Sequence, residues 1–140
     1  MKTPTLLPIM ITTALTLAGC RAPSTAEIEA MSTTDLQRHV GYTFYPDASR
    51  QQARYQLVSR LGAAWPTAYR AAVLDARVAE GMNGDMVKTA WGMPTRATTQ
   101  QIPEGTAQFW TWEFGGGRYQ YVQLFNDRVV YVTIVGSGRP

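Results

Sequence analysis

Apolar and polar residues alternate differently in the two halves of this chain. Before residue 80, apolar side chains recur at about four-residue spacing, which is typical of helices with one buried side. From residue 108 onward, aromatic and β-branched runs are separated by short glycine or Asn-Asp turns, which predicts an antiparallel β-meander. The pattern therefore predicts an α+β domain, with a helical N-terminal half and helices packed on a three-stranded sheet.

Capping residues and helix breakers predict the helices of the first two thirds of the chain. One short helix covers residues 33–40 and ends at Gly41, and a second, capped by Asp47 or Ser49, runs through Ser59. Pro66 suits the first turn of a third helix that reaches about residue 79. The apolar residues expected on the buried sides of the second and third helices are Ala53, Leu57 and Leu61, then Tyr69, Val73 and Ala76.

A fourth helix is marked at both ends. Asn83 is a good N-cap, and Asp85 follows in the first turn, where a carboxylate interacts favourably with the helix dipole. Gly92 is expected to end the helix in a left-handed conformation, with Pro94 just beyond it. Its apolar side consists of Met86, Val87, Ala90 and Trp91.

Three strands are predicted over residues 108–114, 119–125 and 128–135, after a spacer at 95–107. If Phe114 and Arg118 flank the glycine turn, one face of the sheet carries Trp110, Trp112, Val122 and Leu124. The other face then carries Phe109, Tyr119, Tyr121 and Phe125, together with Val130, Val132 and Ile134. A sheet with one solvated face normally presents polar residues outward, so the second face needs a cover. We expect the N-terminal helices to supply it, with a protein partner as the alternative.

The first twenty residues have the parts of a secretory signal. Lys2 gives a positive start, and residues 6–17 form an apolar run shorter than the roughly 20 residues of a membrane-spanning helix. The run closes at Leu17-Ala18-Gly19-Cys20, which contains the only cysteine of the chain. These four residues resemble the lipobox of bacterial lipoproteins. The resemblance implies a signal peptide over 1–19, a Cys20 that carries diacylglyceryl and fatty acyl chains such as palmitate, and a tether over 20–26.

The lipoprotein resemblance also implies a location. Arg21, rather than aspartate, follows Cys20, and by the sorting rule of enteric bacteria this favours the outer membrane, with the domain facing the periplasm. Stable anchoring requires more than one acyl chain, and such a cysteine carries two or three. A lone cysteine excludes an intramolecular disulfide. We therefore expect the membrane to be a partner through the lipid on Cys20.

A second resemblance covers residues 78–135. Gly81-Met82 precedes the capped helix, Trp91-Gly92-x-Pro94 ends it, and Trp110-x-Trp112 and Phe125-Asn126-Asp127-x-Val129 follow in the strands. This series resembles the SmpA/OmlA domain of BamE-like outer-membrane assembly lipoproteins, with Trp112 in place of the usual tyrosine and Asp127 in place of the usual glycine. The resemblance implies two helices against a three-stranded sheet. The same architecture also serves in proteinaceous β-lactamase inhibitors.

Composition and motifs argue against several classes of function. The formal charge of +3 is dispersed along the chain, whereas nucleic-acid binding needs clustered basic residues. His39 is the only histidine, expected to be solvated or to cap a helix end, so a histidine-rich metal site is excluded. Gly136-Ser137-Gly138 lacks the helix that follows a nucleophile elbow. We expect no catalytic, cofactor-binding or metal-binding residues.

Removing the signal leaves roughly 120 residues, enough for one domain, which we place at 27–140. The expected function is that of a non-enzymatic outer-membrane lipoprotein acting as an interaction or assembly module in the cell envelope. The alternative is an inhibitor or ligand-binding domain of the same architecture that recognises a periplasmic protein or a wall component. In either case the partner is an envelope component, and the candidate partner surface is Phe109, Tyr119, Tyr121 and Phe125.

Overall fold

Five α-helices precede a four-stranded antiparallel sheet in the computed structural model, which describes residues 21–136. The predicted α+β class is confirmed. Residues 1–19, which are predicted to be a signal peptide, Cys20 and residues 137–140 lie outside the described part. The helices are α1 (Thr25–Ala30), α2 (Thr33–Gly41), α3 (Asp47–Leu61), α4 (Thr67–Leu74) and α5 (Gly84–Trp91), with a 3-10 turn at Gly62–Ala64. The strands are β1 (Arg96–Ile102), β2 (Gly105–Glu113), β3 (Tyr119–Phe125) and β4 (Arg128–Val135).

The predicted tether is shorter than expected, because α1 begins inside it. Ser24 and Glu27 form a capping box: the Ser24 hydroxyl accepts from the backbone N–H of Glu27 at 3.3 Å, and the Glu27 carboxylate accepts from that of Ser24 at 2.6 Å. Ile28 is then buried in a cluster with Leu36, Val40, Ala53 and Leu57. The tether predicted over 20–26 is therefore wrong at its C-terminal end.

The third predicted helix is also shorter than expected. α4 ends at Leu74, because Ala76 takes a left-handed φ of 55° and the Arg77 N–H donates to the carbonyl of Ala72 at 2.8 Å. Val73 is fully buried, as predicted, and Tyr69 is half-buried. The prediction that Ala76 continues the helical stripe is wrong.

The spacer predicted at 95–107 contains strand β1, so the sheet has one strand more than expected. β1 pairs antiparallel with β2 at the edge of the order β1-β2-β3-β4. Its residues are mainly threonine and glutamine, and all but Ile102 are exposed. A strand with both faces in water carries no apolar alternation, which is why the pattern did not reveal it.

A β-bulge changes the faces predicted for β4. Gln123 pairs with Tyr131 and Leu124 pairs with Val129, which leaves Val130 as an extra residue. A one-residue shift moves each following side chain to the opposite face. Val132 and Ile134 therefore share a face with Trp110, and their predicted place beside the tyrosines is wrong.

The helices pack on the sheet face that carries Trp110, Trp112, Val122, Leu124 and Val132, which we call the tryptophan face. Trp110 and Trp112 are 5% and 2% exposed, and Val122 and Leu124 are fully buried, as predicted. The ring of Trp112 meets that of Trp91 edge to face at 5.3 Å. The helical residues packed against this face include Val58, Leu61, Trp65, Val73, Met86, Val87 and Ala90. Since Leu61 also packs against the smaller cluster under α1, the helices and the sheet form one folded unit.

The end of α5 lies close both to the end of α2 and to strand β2. Asn83 caps the start of the helix as predicted. Gly92 ends it with a positive φ of 85°, as predicted, but its ψ of −170° lies outside the left-handed helical region that was expected. A Cβ on Gly92 would overlap the backbone N and Cα of Gly41 at the end of α2. The Gly92 carbonyl accepts from the indole N–H of Trp112 at 3.2 Å. Gly92 is therefore required both by its backbone angle and by this close approach.

The Gly81-Met82 pair has a structural role as well. The Gly81 N–H donates to the carbonyl of Val129 at 2.8 Å, and the Val129 N–H donates to the carbonyl of Met82 at 2.8 Å. Asp127, in the β3–β4 turn, accepts from the N–H of Gly84 at 3.0 Å and so helps to cap α5. These contacts fasten the edge of β4 to the start of α5.

Candidate functional site

The four residues predicted as a partner surface lie together on the face of the sheet opposite the helices. Paired residues share a face, and the register pairs Tyr121 with Thr111 and Tyr119 with Glu113. Phe109 lies two residues before Thr111 on β2, and Phe125 lies four residues after Tyr121 on β3. Because β2 and β3 pair without a bulge, both phenylalanines lie on the same face as the tyrosines. We call this surface the tyrosine face and define it as Phe109, Tyr119, Tyr121, Phe125 and Tyr131.

Tyr131 is the member of this surface that sequence reasoning missed. The bulge in β4 turns it onto the tyrosine face, where its ring lies 6.2 Å from that of Tyr121 in an edge-to-face contact. An ideal two-residue turn at Asn126-Asp127 predicts the opposite orientation. Position 130 is a valine rather than a glycine or a proline, so the sequence gives no local sign of the bulge.

No helix covers the tyrosine face within residues 21–136. The two hydrophobic clusters take none of their members from it. Tyr119 is 43% exposed and Tyr131 is 50% exposed, while Phe109, Tyr121 and Phe125 are half-buried among their neighbours in the sheet. The expectation that the N-terminal helices cover this face is wrong, because those helices pack instead on the tryptophan face and on α5.

The aromatic residues of this face are bordered by polar groups. Arg96 and Glu113 form an ion pair at 3.2 Å at one end. Thr98 pairs with Phe109, and Thr133 pairs with Tyr121, so hydroxyl groups stand beside the rings. Gln123 also lies between Phe109 and Tyr131 across the strands, so aromatic rings alternate with polar groups over this face. Protein–protein interfaces combine aromatic side chains with polar groups of this kind.

A serine and the only histidine meet elsewhere, between α2 and α3. His39 Nε2 lies 2.7 Å from the Ser49 hydroxyl, and the imidazole stacks on Tyr45 with ring centroids 4.3 Å apart. His39 is 4% exposed, so the expectation of a solvated or capping histidine is wrong. A serine nucleophile needs its base held by a third group. Among the described residues no carboxylate hydrogen-bonds to His39, and the contact serves to join the two helices.

Arg54 is a buried cation that the sequence did not reveal. Its Nε donates to the carbonyl of Ala90 at 3.0 Å, close to the C-terminal end of α5, and its Nη1 donates to Gln51 at 3.1 Å. Burial lowers the pKa of the Arg54 guanidinium. A cation at a helix C-terminus is electrostatically favourable, so this side chain fastens α3 to α5.

The described residues contain no group of three or more His, Cys, Asp or Glu side chains arranged to hold a metal ion. None of their helices has the length and apolar character needed to cross a bilayer.

No protein-family model matches the chain, and no curated protein or solved structure is significantly similar to it. The resemblances to the lipobox and to the BamE-like domain stay predictions from the residues that carry them.

Proposed function

We propose that this protein is a non-enzymatic, lipid-anchored module of the bacterial outer membrane that binds an envelope protein through its tyrosine face. The observation that carries the proposal is the uncovered aromatic side of the sheet, opposite the face on which the helices pack. The resemblance of residues 78–135 to BamE-like domains, which belong to envelope assembly lipoproteins, supports the same assignment.

The residue types on the tyrosine face suit binding better than they suit a core. A tyrosine ring contributes apolar area, while its hydroxyl group tolerates water before a partner arrives. Tyrosine is accordingly enriched among the residues that dominate interface energies. Tyr119, Tyr121 and Tyr131 supply three such rings over neighbouring strands, and Phe109 and Phe125 add apolar area.

The lipid anchor is the second part of the proposal, and the Cys20→Ser variant tests it. Replacement of Cys20 by serine removes the thiol that accepts the diacylglyceryl group, so we expect an unprocessed precursor or a soluble protein. Labelling with a fatty-acid analogue, followed by fractionation of the envelope, measures this. A Cys20→Ser protein that labels and fractionates like wild type would contradict the anchor.

Site-specific photo-crosslinking tests the binding surface directly. A photoreactive side chain in place of Tyr121 or Tyr131 should crosslink to one envelope protein in cells. The matched control is Tyr55, which is 54% exposed on α3 and lies outside the tyrosine face. Crosslinking at Tyr55 but at neither sheet position would overturn the assignment.

The identity of the crosslinked partner, determined by mass spectrometry, distinguishes an assembly module from an inhibitor. An outer-membrane assembly protein supports the assembly module, and a soluble periplasmic enzyme supports the inhibitor.

A further inference from the structure

Three aromatic residues form a cluster just after α2, which we call the aromatic corner: the exposed Tyr42 and Phe44 and the half-buried Tyr45. Phe44 is 86% exposed and Tyr42 is 51% exposed. Their rings nevertheless associate, with centroids 5.5 Å apart for Tyr42 and Phe44 and 4.8 Å apart for Tyr42 and Tyr45. Neither hydrophobic cluster of the fold contains them. An exposed aromatic patch of this kind marks an interaction site.

The aromatic corner lies beside the first described residue of the chain. Arg21 and Ala22 line one open cavity together with Tyr42, Phe44 and Tyr45. Arg21 is covalently bonded to Cys20, so their Cα atoms are about 3.8 Å apart. The proposed site of lipid attachment is therefore within one residue of the corner.

The connection between the anchor and the domain is short and is held to the domain. Arg21 forms an ion pair with Glu27 of α1 at 2.9 Å, and α1 itself begins at Thr25. Ile28 of this helix is buried against the helical cluster. A lipid on Cys20 consequently brings this corner of the domain, rather than the sheet, close to the bilayer surface.

We propose that the aromatic corner inserts into the headgroup region of the membrane and sets the orientation of the domain on it. This inference rests on the lipid anchor of the proposed function. Aromatic rings with a polar edge are enriched at the membrane–water interface, where the ring meets the acyl boundary and the hydroxyl stays hydrated. Phe44 is the most exposed ring of the cluster and is wholly apolar, while Tyr42 and Tyr45 each add a hydroxyl group.

The charges near the corner show which lipid chemistry it requires. Each nearby arginine is paired with a carboxylate: Arg21 with Glu27, Arg38 with Asp35 and Arg50 with Asp47, at 2.9 to 3.1 Å. Lysine and arginine clusters that recognise anionic lipids are not neutralised in this way. Insertion of the corner should therefore depend on its rings, and should persist on zwitterionic lipid and at high salt.

Quenching by brominated lipid tests the insertion. The mature, lipidated protein is reconstituted into phosphatidylcholine vesicles as the Phe44→Trp variant, with Tyr131→Trp as the control on the tyrosine face. The four native tryptophans are at most 8% exposed and supply a constant background. Brominated acyl chains should lower the emission of the indole introduced by Phe44→Trp about twofold or more at both low and high salt, and leave the control unchanged.

Two results would overturn the inference, and they are distinguishable. If the protein floats with the vesicles but the emission of the introduced indole is not quenched, the anchor stands and the corner does not insert. If the mature protein carries no acyl mass and does not float, the lipid anchor fails and the orientation inferred from it fails as well.

Discussion

The tryptophan face and the tyrosine face belong to the same four strands and are both rich in aromatic rings, yet only the first is buried. On the tryptophan face, the indole N–H of Trp112 finds the Gly92 carbonyl at 3.2 Å, so the polar part of the side chain is satisfied inside the domain. Tyr119 and Tyr131 keep about half of their surface in water, where a hydroxyl needs no partner from the protein.

Aromatic density alone does not identify the buried side of a sheet. The buried side is the one that a helix end can approach closely, as the Gly92 carbonyl at the end of α5 does when it accepts from the indole N–H of Trp112. The helix packed on this side also has its indole satisfied, because the N–H of Trp91 donates to the carbonyl of Ala76, 2.9 Å away. The tyrosine face meets neither condition within the described residues.

A large loss of stability is expected from disturbing the close contact between the ends of α2 and α5. In Gly92→Val, the side chain would overlap the backbone of Gly41 and also force a β-branched residue to a positive φ. We expect a loss of about 3 kcal/mol or more in the free energy of unfolding, measured by urea denaturation of the mature protein.

The matched control for Gly92→Val lies in the β2–β3 turn. Gly116 also has a positive φ, of 60°, but a Cβ there would meet no atom within 4 Å. Gly116→Asn should be almost neutral, because asparagine tolerates the left-handed region. Equal losses from the two variants would contradict the close contact between the ends of α2 and α5.

A smaller effect is expected from the turn that fastens the sheet to α5. Asp127→Ala removes the acceptor of the Gly84 N–H and places a Cβ residue without a polar side chain at φ 59°. We expect a loss of about 1 to 2 kcal/mol in urea denaturation. Asp127→Asn keeps the acceptor oxygen, so a loss as large as that of Asp127→Ala would refute this account of the cap.

The smallest loss of stability is expected on mild acidification, and it should arise from His39 in helix α2. Burial lowers the pKa of His39, and the charge of Arg50 acts in the same direction. Below the ordinary value of about 6.5, the unfolded chain therefore binds more protons than the folded protein. Stability is complete above that pH and decreases as the pH falls towards the lowered pKa of His39.

His39→Gln isolates this contribution. Its unfolding free energy should show a shallower slope between neutral pH and the lowered pKa of His39 than that of wild type. Hydrogen bonds from Ser24 and Ser32 lower the carboxyl pKa values of Glu27 and Asp35, respectively. The stability that these two carboxylates contribute is therefore lost only at more acidic pH. Identical slopes for the two proteins would show that His39 does not titrate differently on folding.

Two elements that local chemistry marks were predicted correctly, but α1 was missed although its capping box, Ser24 and Glu27, is a local sequence signature. The bounds of α5 follow from Asn83 and Gly92, and the register of β2 with β3 follows from the glycine turn between them. Strand β1 was missed because an edge strand of threonine and glutamine has no apolar period.

Two further errors depend on tertiary contacts. The bulge at Val130 and the burial of Arg54 against Ala90 are decided by strand pairing and by a distant helix end, neither of which a local pattern contains. For the same reason, the four candidate residues were placed on one face correctly while the cover expected over them was wrong.

The paired unfolding of Trp110→Ala and Tyr121→Ala tests the contrast between the two faces most directly. Trp110 is 5% exposed in the core, so its removal should cost about 3 to 5 kcal/mol of unfolding free energy. Tyr121 contacts Tyr131 on the open face, and we expect Tyr121→Ala to cost about 1 kcal/mol or less while weakening crosslinking to the partner. A Tyr121→Ala protein that unfolds as readily as Trp110→Ala would contradict the account, because the tyrosine face would then belong to the core.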